Sequence, residues 1–131
     1  MNFDKVKKYN VLYVEDEISV QQTTLTFFNK FFKNVDVANN GQEGFDKFKS
    51  AEYDLVITDM KMPIMSGAQM LKKIKKINPK ITTMMCTAAD SYKKLPEKEC
   101  DISMKKPVYF DEFIKILEQL EEIIENKKHT N

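Results

Sequence analysis

Three short clusters in the chain hold side chains that could act together. Glu15-Asp16-Glu17 follows the apolar run Val11-Leu12-Tyr13-Val14 directly. Asp59 ends the run Asp54-Leu55-Val56-Ile57-Thr58-Asp59 and precedes Met60-Lys61-Met62-Pro63 and Ser66-Gly67. Lys106-Pro107 follows Met104-Lys105, and Thr87 closes a further run, Ile81-Thr82-Thr83-Met84-Met85-Cys86-Thr87. A carboxylate can attack a phosphoryl group and form an acyl phosphate, which splits one transfer into two. Such chemistry rests mainly on positioning and charge neutralisation. Carboxylates are also the donors that a hard divalent cation such as Mg²⁺ takes, one or two at a time. A nearby ammonium offsets the mutual repulsion that would otherwise make clustered carboxylates bind protons. Asp59 is therefore the candidate nucleophile, Glu15 and Asp16 are candidate metal-holding groups, and Lys106 is their counter-charge.

These clusters need elements that bring distant positions to one edge. Short apolar runs bounded by turn residues predict buried strands at Val11–Val14, Val35–Val37, Leu55–Thr58, Ile81–Cys86 and Ile102–Met104. Between them, helical spacing predicts a helix from Ser19 to Phe32 with Leu25, Phe28 and Phe32 inward. A second helix, after Asn39-Asn40-Gly41, is anchored by Phe45 and Phe48. A third, after Ser66-Gly67, turns Met70, Leu71, Ile74 and Ile77 inward and ends at Asn78-Pro79. The last helix is expected over Asp111–Glu125. Strands alternating with helices predict a parallel sheet covered on both faces. Right-handed crossovers then gather the strand C-termini, and the three clusters, on one edge. The stretch from Ala88 to Cys100 has few apolar residues and an interior Pro96, which would cost a helix ~3 kcal/mol. It predicts a fourth helix that is short or disrupted.

Composition narrows the function. At 131 residues the chain forms one domain with room for a core. The formal net charge is +1, and all 21 basic residues are Lys. That argues against nucleic acid contact by this domain, for which the Arg fork is preferred. No apolar run approaches 18 residues, so no membrane span is expected. Cys86 and Cys100 show no metal-ligand spacing, and Met1–Lys8 lacks the apolar stretch of a secretion signal, so a cytoplasmic location with reduced thiols is expected. The single His129 lies in a polar tail, which excludes His-based metal sites and Ser-His or Cys-His catalysis within these residues.

The order and spacing of Val14-Glu15-Asp16-Glu17, Asp59-Met60-Lys61-Met62-Pro63 with Ser66-Gly67, Thr87-Ala88 and Lys106-Pro107 resemble the receiver domain of two-component response regulators. The likeness runs from about Tyr9 to Ile124. It implies an α/β, flavodoxin-like, doubly wound five-stranded parallel sheet of order 2-1-3-4-5. It divides the chain into an N-terminal extension (1–8), the receiver (9–125) and a polar tail (126–131) that could begin a linker. It implies phosphorylation on Asp59. Mg²⁺ would be held by Asp16, Asp59 and the backbone carbonyl of Lys61, with Glu15 acting through water. Thr87 and Lys106 would bind the phosphoryl oxygens, and a cis peptide before Pro107 would aim Lys106. Lys105, one residue off the strand period, should point to the opposite face. Glu17 is expected only to cap the first helix. The partners implied are a sensor histidine kinase or phosphotransfer protein, and a downstream protein target or fused output domain, with a homodimer as a further option. No enzymatic output is expected.

Some positions depart from the family's pattern. The aromatic residue that receivers often carry three positions before the Lys is here Ser103, which puts the usual Thr–aromatic coupling in doubt; Tyr92 is a candidate substitute. Lys61 and Ala89 stand where side chains influence acyl-phosphate lifetime, and they imply slow self-dephosphorylation. The Thr-to-Lys separation is about three residues short of the family's usual one, close to one helical turn. Ile116 and Ile123, seven apart on the last helix, could form with Ser103 an output surface. The Lys72-Lys73 and Lys75-Lys76 pairs read first as a solvated helix face. Three rivals remain. A haloacid-dehalogenase-type phosphatase would need an Asp two residues after the nucleophile, where Lys61 stands. A flavin-binding domain would need a phosphate loop where Glu15-Asp16-Glu17 stand. A receiver-fold interaction module that signals without phosphorylation is the alternative function.

Overall fold

The structure, a computed structural model, describes residues 3–88 and 100–129. Five parallel strands form one sheet in the order β2-β1-β3-β4-β5. They are β1 (Asn10–Val14), β2 (Asn34–Ala38), β3 (Leu55–Asp59), β4 (Thr82–Thr87) and β5 (Ile102–Lys105). The helices are α1 (Ile18–Phe28), α2 (Gly41–Ser50), α3 (Gly67–Ile77) and α4 (Phe110–Lys128). The fold is the expected flavodoxin-like one. The segment where a short or disrupted helix was predicted before β5, with Ala89 and Tyr92, lies outside the described residues.

Strand alternation sorts side chains to two cores. Val11, Tyr13, Leu55 and Ile57 face α1 and α4, whereas Leu12, Val14 and Val56 face α2 and α3. Both faces of the central strands are buried, which is why their sequences read as unbroken apolar runs. The first core is rich in Phe: the Phe28 and Phe113 rings stack with centroids 5.1 Å apart, and Phe27, Phe31 and Phe32 close around them.

Several boundaries differ from the sequence reading. Helix α1 stops at Phe28 rather than Phe32, with Asn29 as its C-cap. Phe31 and Phe32 still reach the core from the following turn, where both backbone amides donate to the Phe28 carbonyl. Apolar spacing therefore outlived the helix. Leu25 is only half-buried, and Phe27 takes the packing expected of it. Ile77 is 53 % exposed, because it is the last residue of α3 and the inward face ends at Ile74. Helix α4 runs on through Lys128, past the expected start of the polar tail. There Lys127 pairs with Asp101 and Lys128 with Asp54, both at the N-terminal edge of the sheet. The expected N-terminal extension contributes Val6 to the core and sets Phe3 against Phe31. Glu17 occupies the N-cap of α1 without a side-chain capping bond; its amide donates instead to Glu15 Oε2 at 3.3 Å.

Candidate functional site

Asp59 is the last residue of β3, and Glu15 and Asp16 follow β1 directly. The pairing of Val14 with Thr58 puts these three carboxylates side by side, and one oxygen from each lies within 4.8 Å of the others. Strand β4 continues the edge: Cys86 pairs with Asp59, and Thr87 with Lys105. Lys106, one residue beyond β5, donates its amide to the Thr87 carbonyl at 2.8 Å. Its ammonium is 3.1 Å from Asp59 Oδ2 and forms a still closer ion pair with Glu15 Oε1. The Lys106-Pro107 peptide is cis. Lys105 is exposed, as a neighbour one residue off the strand period should be.

The loop after Asp59 is fixed from both ends. The Met60 amide donates to Asp59 Oδ1 at 2.8 Å, and the Gly67 amide donates to the Met60 carbonyl at 2.8 Å. Gly67 is needed for this approach, since a Cβ there would lie 2.0 Å from the Asp59 carbonyl oxygen. Ser66 and Gln69 then form a capping box that starts α3. Lys61 stands in the loop with its side chain exposed, and Thr87 is buried at the end of β4.

The electrostatics follow from depth. Glu15 is buried, and burial pushes its carboxyl up to about 7 against the opposing pull of Lys106. Burial alone would lower Lys106, but the Glu15 and Asp59 carboxylates outweigh it and hold the ammonium above its ordinary value. The Cys86 thiol is pushed up to about 12 by burial, so it is inert beside the site. The Glu15, Asp16 and Asp59 donors are all oxygens, a set that suits a hard cation such as Mg²⁺ and not one that prefers sulfur or imidazole.

One positioning residue escaped the sequence reading. Gln21 is buried in the first turns of α1, and its Nε2 donates to the Glu15 carbonyl at 2.9 Å, the Ala38 carbonyl at 3.2 Å and Asn39 Oδ1 at 2.9 Å. It ties the acidic loop to the end of β2. The available signal was a polar residue one helical repeat before Leu25 and two before Phe28, on the inward face. Of the expected output residues, Ser103 is half-buried on β5, and Ile116 and Ile123 pack against the first core. The exposed large apolar residues around α4 are instead Tyr109 and Phe110.

A family model for the response regulator receiver domain matches residues 11–118. The chain is 32% identical over 117 residues to two-component response regulator 24 of Arabidopsis thaliana, covering 86% of this chain and 84% of that protein. It is 33% identical over 85 residues to the transcriptional regulatory protein ZraR of Klebsiella oxytoca, covering 65% of this chain but only 19% of that protein. Among solved structures, the response regulator TrrA of Thermotoga maritima, in complex with Mg²⁺-BeF, superposes with a TM-score of 0.73 at 30% identity, covering 85% of this chain and 97% of that one. With a receiver-domain model matching residues 11–118, five parallel strands in the order 2-1-3-4-5, and three clustered carboxylates at one sheet edge, two of them paired with Lys106, the chain belongs to the response regulator receiver domain family.

Proposed function

We propose that this receiver accepts a phosphoryl group on Asp59 from a phosphohistidine of a histidine kinase or phosphotransfer protein. The observation that carries this reading is Asp59 at the convergence of the Lys106 ammonium and the Glu15-Asp16 pair. One Asp59 oxygen attacks phosphorus, the P–N bond to the imidazole breaks with its electron pair going to nitrogen, and an acyl phosphate remains. Asp59 Oδ1 is held by the Met60 amide, and Oδ2 faces Lys106, so the carboxylate is oriented before a donor arrives. Lys106 offsets charge on the incoming phosphoryl oxygens, and Thr87, at the neighbouring strand end, is the group to donate a hydroxyl to them. Asp16, Asp59 and the Lys61 carbonyl would hold Mg²⁺, with Glu15 reaching it through water. When bound, the ion neutralises phosphoryl charge during transfer. The Thermotoga receiver, solved in complex with Mg²⁺-BeF, supports Mg²⁺ as the ion such a domain takes.

The domain is then a signalling module whose phosphorylation shifts an equilibrium between surface conformations. Its output is contact with a protein partner or a further domain. Among the described residues no helix is long and apolar enough to cross a membrane. The test is incubation with acetyl phosphate and Mg²⁺, with intact mass recorded against Asp59→Asn. A single phosphoryl adduct that needs both Mg²⁺ and Asp59 is expected. No adduct, with Mg²⁺ binding confirmed separately, would favour signalling without phosphorylation.

A further inference from the structure

Between Asp59 and Asp90 the sequence carries six Lys and no Asp or Glu, within a chain of net charge +1. Most of that charge falls on α3. Lys72, Lys73 and Lys76 are exposed along one side of it and, with Ile64, Met65 and Gln69, line a groove of about 430 Å³. Lys73 lies over the Phe45 ring, 5.6 Å from its centroid. Among the described residues, neither Lys72 nor Lys76 has a carboxylate within ion-pair reach.

Ile64 sets the apolar end of this groove, and it is anomalous twice over. It is 78 % exposed, and its φ of +73° is the one positive φ among the described residues. A β-branched side chain is poorly suited to the left-handed region. Its neighbour Met65 is buried and pins the loop, so Ile64 is held outward by the backbone. Its φ closes a γ-turn in which the Met65 amide donates to the Pro63 carbonyl at 2.8 Å and Met65 turns into the core, so the backbone serves the fold while the 78 % exposed Ile64 side chain does not.

We infer that the α3 groove docks an acidic, apolar-anchored helical segment of a partner protein. Lys72 and Lys76 are one helical turn apart, a spacing that glutamates at i and i+4 on an antiparallel helix match. Ile64 meets an apolar residue between them, in the helix-in-groove mode. Concavity favours a helix over a flat bilayer, and the absence of Arg disfavours nucleic acid. The inference does not depend on phosphorylation of Asp59.

The experiment is an NMR titration of the full chain with synthetic helical peptides that carry glutamate pairs at i and i+4 flanking Leu, Ile or Phe. Parallel arms use phosphatidylserine vesicles and a DNA duplex. Amide shifts centred on Ile64, Lys72 and Lys76 are expected, with affinity falling as salt rises. The double charge reversal Lys72→Glu/Lys76→Glu should weaken binding at least tenfold, and Ile64→Gly severalfold. The charge-reversal variant should still be labelled at Asp59 by acetyl phosphate to the wild-type extent, which separates this surface from the phosphoacceptor reading. Binding to vesicles or DNA through the same lysines without peptide binding would overturn the inference. So would the absence of binding in every arm, which would leave the lysines as a solvated face.

Discussion

Replacing Lys106 with Met keeps the aliphatic stem and removes the charge that faces Glu15 and Asp59. Glu15 has an ordinary value of 4.5 when unfolded and about 7 when buried beside Lys106. Between those values the folded protein holds a proton that the unfolded chain has lost. Its contribution to stability is therefore fully present below pH 4.5 and is lost as pH rises through 7, at up to ~1.4 kcal/mol per pH unit. Above pH 7 the wild-type contribution flattens, because Lys106 supports the ionised carboxylate. In Lys106→Met only the Glu17 amide still opposes burial and the neighbouring Asp59, so the decline continues to higher pH. The Glu15-linked cost of the substitution should thus be small at pH 5.5 and should grow by about 2 kcal/mol between pH 7 and 8.5. Urea unfolding midpoints across this range, in EDTA so that no cation replaces the ammonium, measure it directly. In a Glu15→Gln background the same substitution should cost equally at every pH. A Lys106→Met cost that is identical at pH 5.5 and 8.5 would refute the reasoning, since it would mean that Glu15 does not titrate against Lys106.

Other expectations follow from close approaches and backbone geometry. Gly67→Ala places a Cβ 2.0 Å from the Asp59 carbonyl oxygen; a loss of about 1–3 kcal/mol in chemical denaturation is expected, together with reduced acetyl-phosphate labelling as the loop shifts. Ile64→Gly removes a left-handed penalty of about 1–2 kcal/mol and adds a glycine entropy cost of about 0.5–1 kcal/mol, so a net gain of about 0.5–1 kcal/mol should appear in the same measurement. Ser66→Ala removes the N-cap of α3 and should cost about 1 kcal/mol by thermal unfolding, with the Asp59 carboxylate unmoved. The exposed Lys61 should screen the acyl phosphate from water, so the adduct should outlast minutes at neutral pH; decay within seconds, followed by intact mass, would count against this.

Most of the fold could be read from the sequence because strand and helix signals here rest on burial. The runs around Leu12, Ile57 and Met85 are apolar on both faces, as a covered parallel sheet demands. Asp59, the Glu15-Asp16 pair and Lys106 were visible because each interrupts an apolar run at its end, where a charge would be costly unless others met it there. The misses have a different origin. Phe32 was placed on α1 because periodicity records which residues are buried, and burial does not require a continuous helix: a turn delivers Phe31 and Phe32 as well. Gln21 was passed over because one polar residue on an inward face looks like noise until its partners, the ends of β1 and β2, are in place.

The depth of Glu15 was also beyond the sequence, which assigns Glu15 and Asp16 to a cation and Glu17 to the start of the first helix without ranking their burial. The structure separates them by depth: Glu15 buried, Asp16 half-buried, Glu17 exposed. That gradient explains how one tripeptide can serve two demands. A buried carboxylate held by Lys106 sets the position of the ammonium beside Asp59, whereas a half-buried one remains open to a cation and its water. Chain order alone cannot assign these depths, because they depend on the pairing of Glu15 with Ala38 across the end of β2 and on the Gln21 amide that closes over it. The depth of Glu15, and through it the place of Lys106 beside Asp59, is thus set in part by an α1 residue whose own side-chain bonds go to the ends of β1 and β2.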